Sequence, residues 1–127
     1  MKLRIRGNSI RLRLTKTEIA QFGETGLVEE TVEFGTGENQ RFVYALSAAE
    51  IGEPRAAFEN NRMTVFLPRA QADEWARTNR VGIRAEQKLS ENKFLQILVE
   101  KDFACLEERP GEDDADAFPH PLAGKAC

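Results

Sequence analysis

Cysteine is nearly absent from this sequence: Cys105 and Cys127 stand far apart and form no CxxC pair. That excludes a disulfide framework and agrees with a reducing compartment. Histidine is scarcer still, with His120 alone. No apolar run approaches the roughly 20 residues that a bilayer span requires. The N-terminus alternates Lys2, Arg4 and Arg6 with Leu3 and Ile5. It lacks the continuous apolar stretch of a signal peptide, so a cytoplasmic location is the default expectation. Glycine-rich phosphate loops are missing too, because Gly35-Thr36-Gly37 leads into a strand-like segment and not a helix. Net positive charge is also absent. With 18 Lys and Arg against 21 Asp and Glu, the formal charge is −3, which argues against a generic binder of nucleic acid or membrane.

What remains is enough for one domain. A chain of 127 residues, 31% charged and 41% apolar, has the makeup of an ordinary soluble globular protein. Its charge is separated by sign. Lys2, Arg4, Arg6, Arg11, Arg13 and Lys16 make the start basic, and Glu107, Glu108, Glu112, Asp113, Asp114 and Asp116 make the end acidic. Such a separation reads as two surfaces.

An internal repeat organises the rest. Asn8 and Asn61 set an offset that aligns residues 1–47 with residues 54–100 without a gap. Apolar positions then coincide: Leu3 with Ala56, Ile5 with Phe58, Leu12 with Val65, Leu14 with Leu67, Phe22 with Trp75, Val28 with Val81, Tyr44 with Ile97. Each copy begins with two alternating strands around a turn, Gly7-Asn8-Ser9 or Asn60-Asn61, whose residues tolerate positive φ. Thr15 and Glu18 form a capping box, and Pro68 suits a helix start. Gly26 and Asn79 occupy matching positions at the helix ends, where a left-handed residue fits. A hairpin follows, with its loop over residues 35–39 in copy one and 87–92 in copy two.

The expected fold is therefore α+β and mostly β. A duplicated ββαββ unit closes about a pseudo-two-fold into a β-barrel-like core with two short helices. Residues 1–127 form one domain: copy one over 1–47, copy two over 54–100, and an irregular acidic extension over 101–127. The symmetry assigns Trp75, Tyr44 and Phe58 to the core.

At Gly7-Asn8-Ser9-Ile10-Arg11-Leu12-Arg13-Leu14, followed by Lys16, Glu18 and a short helix, the chain resembles the swapped-hairpin AbrB/MazE families. Copy two repeats the pattern with Asn61, Leu67 and Pro68. The resemblance implies a fused pseudo-dimer, in which two hairpin units interleave within one chain, and DNA binding of the antitoxin or transition-state-regulator kind. Copy two carries Thr64 and Phe66 where copy one has Arg11 and Arg13, so the basic strand belongs to copy one alone. The whole chain also resembles a bacterial family of uncharacterised small proteins. That likeness rests on residues 100–106 and on the run from Glu112 to Pro119.

Three sets of residues are candidates for chemistry. Lys2, Arg4 and Arg6 share one strand face, with Arg11 and Arg13 on the outer face of the next, and they suit nucleic-acid or anion binding, since guanidinium groups on a β-ribbon pair with phosphates. The plainer alternative is a solvated face whose arginines lie opposite Glu29, Glu33 or the acidic tail. Cys105, Asp113, Asp114, Asp116 and His120 could assemble a metal site, though their spacing is irregular for zinc and lacks the glycine and distal glutamate of a calcium loop. Anchored through Phe103, Leu106 and Phe118, the tail would lay its carboxylates over the arginine face. No catalytic constellation is legible, as Cys105 and His120 have no third orienting partner.

The function expected from sequence is that of a non-catalytic binding protein without a cofactor. An unidentified protein is its expected partner, with DNA as the alternative and no membrane. Its expected state is a monomer acting as a pseudo-dimer, or a weak homodimer.

Overall fold

In a computed structural model of the chain, residues 1–103 are described. The element order is β1 (Lys2–Arg6), β2 (Ser9–Leu14), α1 (Lys16–Thr25), β3 (Leu27–Glu33), a short 3-10 turn, and β4 (Arg41–Ala49). The second unit gives β5 (Arg55–Glu59), β6 (Arg62–Pro68), α2 (Arg69–Arg77), β7 (Gly82–Ser90) and β8 (Lys93–Lys101). The ββαββ order thus occurs twice.

The eight strands form two four-stranded sheets, β1-β2-β8-β7 and β3-β4-β6-β5. Each sheet takes one hairpin from each unit, joined by a parallel pair in its centre: β2 with β8, and β4 with β6. The repeat offset is written into this register. Ser9 pairs with Gln96 in the first sheet, and their equivalents Arg62 and Val43 pair in the second. Lys2 pairs with Arg13, and their equivalents Arg55 and Phe66 pair likewise.

Local chemistry explains the residues that the two copies keep. Asn8 and Asn61 end their turns with the carbonyl accepting from the neighbouring strand, from the Gln96 and Val43 amides respectively, at 3.0 Å each. Asn60 and Asn61 both adopt positive φ, 51° and 61°, as a tight hairpin turn requires. Thr25 and Thr78 each donate a hydroxyl hydrogen bond one turn back, to the Gln21 and Glu74 carbonyls. The same hydroxyls accept from the Leu27 and Arg80 amides, which fastens each helix end to the strand that follows. Thr15 and Glu18 form the expected capping box.

The core lies between the two sheets and beneath the helices. Leu12, Leu14, Leu46, Val65, Leu67 and Val99 are fully buried. The helices meet at equivalent residues: Phe22 and Trp75 pack edge to face at 6.0 Å, and a Cβ on Gly23 would lie 3.9 Å from Ala76. The pseudo-two-fold passes between them. Trp75 also donates its ring N–H to the Val81 carbonyl at 3.1 Å, which satisfies the one polar atom of a buried indole.

Four expectations need correction. No closed barrel forms among the described residues. The free edges meet through side chains instead of a backbone ladder: Gln87 bonds both the amide and the carbonyl of Ala56, at 2.7 and 3.1 Å. At the other seam Met1 reaches Glu30, and Tyr44 donates to the Met1 carbonyl. Second, Val28 corresponds to Ile83 and not to Val81. Both Val28 and Ile83 are buried, whereas Val81 is 52% exposed. Two extra residues precede β7, and the β7–β8 hairpin is tighter than its counterpart, so that β8 returns to register. Third, Phe58 and its equivalent Ile5 are not core, at 65% and 64% exposed, because both sit close to hairpin tips. Fourth, Asn79 does not adopt the left-handed conformation seen at Gly26; α2 ends on an extended Thr78.

Candidate functional site: a basic sheet face

Alternation along each strand sends every second side chain of the first sheet outward. On β1 these are Lys2, Arg4 and Arg6, and on β2 they are Ser9, Arg11 and Arg13, as the strand pattern predicts. The hairpin β7–β8 adds Arg84, Glu86 and Lys88 beside Phe94, Gln96, Leu98 and Glu100. Arg4, Arg11, Leu98 and Arg84 therefore stand in one row across all four strands. Among the described residues, seven cations share this face with Glu86 and Glu100, and Asp102 at its rim adds a third carboxylate.

Sequence reasoning missed Arg84 and Lys88. They reach the face only because β8 pairs in parallel with β2, a partnership between opposite ends of the chain. The alternation Arg84, Glu86, Lys88 was the available signal, since it marks an outward polar row.

These carboxylates tune the face without neutralising it. Glu100 accepts from Arg13 Nε at 2.6 Å and lies 3.7 Å from Arg11 Nε. Glu86 accepts from Gln96 at 2.7 Å. Lys2, at the corner, pairs with Asp102 at 3.1 Å. Among the described residues, Arg6, Arg84 and Lys88 have no carboxylate at ion-pair distance, and all three are exposed. A shallow depression of about 140 Å³ lies at the centre, lined by Arg11, Arg84, Gln96 and Leu98 among others. Leu98 at the centre and the partly exposed Phe94 near the β7–β8 turn, with Gln96 between them, are the apolar residues that β8 adds to the face.

The equivalent face of the second sheet differs. Its outward side chains include Thr64, Ala45 and Ala57 where the first sheet has Arg11, Leu98 and Arg4. Its charges come as Arg41, Arg55 and Arg62 against Glu29, Glu33 and Glu59, which balance. Glu29 pairs with Arg62 at 2.6 Å within that sheet, so it is no cross-strand partner for the N-terminal arginines.

A second polar cluster lies at the seam below β1. The Met1 ammonium is held by Glu18 and by Glu30, the latter at 2.6 Å. Burial alone would lower the ammonium pKa, but the two carboxylates outweigh it and raise it above its ordinary value. Burial would raise Glu18, yet the ammonium and the Thr15 amide hold it below the usual carboxylate range. Tyr44 is pushed up by burial first and by the nearby Glu30 charge second. This clamp ties the chain start to α1 and β3; Glu30 Oε2 is ion-paired with the ammonium but buried without a hydrogen-bond partner of its own among the described residues.

Among the described residues no group of three or more His, Cys, Asp or Glu could hold a metal ion. The candidate metal ligands Cys105, Asp113, Asp114, Asp116 and His120 lie outside the described residues. No helix of the described residues is long and apolar enough to cross a membrane.

Comparison with known proteins gives one match. The model of a family of unknown function, DUF7009, matches residues 1–122, and the chain belongs to that family. No curated protein and no solved structure matches. The match bears out the likeness to an uncharacterised family and does not extend to the AbrB/MazE families.

Proposed function

We propose that this family member is a non-catalytic binding protein that receives an acidic segment of a partner protein on the outer face of its first sheet. One observation carries the reading: seven cations crowd one sheet face while the pseudo-equivalent face is balanced. A fold whose two halves share strand order and pairing gives no packing reason for that difference. Arginine suits the role because its planar fork holds carboxylates by paired hydrogen bonds. The apolar Leu98 and Phe94 among the cations favour a peptide with mixed acidic and apolar side chains over a sugar–phosphate chain.

A second reading keeps the face and changes the partner to nucleic acid. The exchange of hairpins between the two units supports kinship with the swapped-hairpin DNA binders, and a β-ribbon edged with arginine is a known way to grip phosphates.

The test uses a fluorescein-labelled 15-residue peptide of Glu, Asp and Leu beside a 20-base-pair duplex, both titrated with the full chain. The peptide is expected to bind, and Arg6→Ala with Arg84→Ala to weaken it about tenfold, as loss of two charge-assisted contacts implies. Binding of the duplex alone, falling steeply with salt through counterion release, would replace the first reading by the second. Indifference of both probes to the two substitutions would remove both readings.

A further inference from the structure

We infer that the chain's own acidic segment, residues 107–116, is the resident occupant of the basic face in the free protein, and that a partner must displace it. The inference specifies how the proposed site is regulated, and only its consequence for binding rests on the proposed function.

The argument begins where the described chain ends. β8 runs in the centre of the first sheet, and the Asp102 amide extends its pairing to the Leu14 carbonyl at 2.8 Å. Asp102 then bonds Lys2, the corner cation of the basic face, at 3.1 Å. The chain is thus delivered to the rim of that face, already making one carboxylate–cation pair on it. Phe103 follows, 56% exposed.

Length and charge do the rest. Five residues from Asp102 to Glu107 span at most about 17 Å, and Asp116 can lie roughly 46 Å away. Four strands are about 14 Å across and Lys2 to Arg6 runs about 13 Å along β1, so the segment is long enough to reach every row. It carries Glu107, Glu108, Glu112, Asp113, Asp114 and Asp116 against one basic residue, Arg109. Arg6, Arg84 and Lys88 lack carboxylate partners among the described residues, so the cations outnumber the anions on the face itself. The apolar groove beside the exit, about 340 Å³ and lined by Leu14, Ile19, Ala76 and Phe103 among others, leads along the helices. It carries Lys16 and Lys101 and offers a competing route, which the experiment must distinguish.

Tethering makes even weak pairs count. A tether of only a few residues presents the segment at an effective concentration in the millimolar range. An intramolecular equilibrium of ten to one would therefore cut the apparent affinity for any competitor about tenfold.

The test has two arms on the full chain. Zero-length carbodiimide coupling joins carboxylates to lysines in direct contact, and digestion with mass spectrometry reads the joined peptides. Coupling of residues 107–116 to Lys2 and Lys88 is expected, fading in high salt. Coupling to Lys16 or Lys101 instead, or to none of these lysines, overturns the inference whatever the probe peptide does. In the second arm the six carboxylates are changed to Gln and Asn, and the acidic probe peptide is expected to bind about tenfold tighter. Unchanged affinity with the coupling pattern present would confine the contact to structure and overturn displacement. Absence of probe binding in both proteins, with coupling present, would count against the proposed function and leave the occupant established.

Discussion

At the scale of single residues, the Met1 clamp makes stability depend on pH from both sides. The Glu18 carboxyl is held below its ordinary value of 4.5, so its contribution is present above that pH and is lost as pH falls through the lowered value. The Met1 ammonium is raised above 8.0, so its contribution is complete below pH 8.0 and fades as pH climbs through the raised value. Urea unfolding should show a plateau between these limits and a decline beyond each. Glu18→Gln should lower the plateau and flatten the acid side, while Glu30 keeps part of the alkaline decline. A wild-type profile without an acid decline would refute the clamp's role.

The same scale shows what strand alternation can and cannot reveal. Lys2, Arg4, Arg6, Arg11 and Arg13 were legible as one face because adjacent strands in a tight hairpin fix their own register. Arg84 and Lys88 were not, since their neighbours on the face come from the far end of the chain. Phe58 and Ile5 mislead for a related reason: alternation gives the inward direction, but only the other sheet's extent decides whether anything covers an inward side chain.

At the scale of elements, turns and caps carry most of the legible information. The Thr15 capping box, the Asn60-Asn61 turn and the repeated Asn8/Asn61 ends are local chemistry, so sequence reports them directly. The shift before β7 escaped notice because two added residues there are offset in the next hairpin, and β8 regains the expected alignment. A prediction belongs here. Asn61 holds φ of 61°, a conformation that glycine adopts without strain. Asn61→Gly keeps the carbonyl that Val43 uses and should stabilise the fold by about 0.5–1 kcal/mol. Chemical denaturation would read this as a higher midpoint at unchanged slope; a lower midpoint would mean that the Asn61 side chain contributes something the backbone does not account for.

At the scale of the whole molecule, the exchange of hairpins makes the two units inseparable. Each sheet is sealed by a parallel pair between units, so neither half owns a complete sheet. Residues 1–49 and residues 54–103 produced separately should each lack the fixed aromatic signal of the Phe22–Trp75 pair and unfold without cooperativity. The full chain should give one transition. A half that melts cooperatively by itself would contradict the arrangement. Folding should also be slow for the chain's size, as Ser9 must find Gln96 before the first sheet can form.

The pseudo-two-fold has a consequence for inheritance. In a true dimer of identical chains, any substitution is written twice, and a basic face on one sheet would force a basic face on the other. Here both halves are encoded separately, so the Thr64 and Arg11 positions are free to differ while the packing around them stays matched. A single copy of the chain can thus present one basic side and one side of balanced charge. On the proposed reading, such a body would engage one partner and would not link partners into a chain.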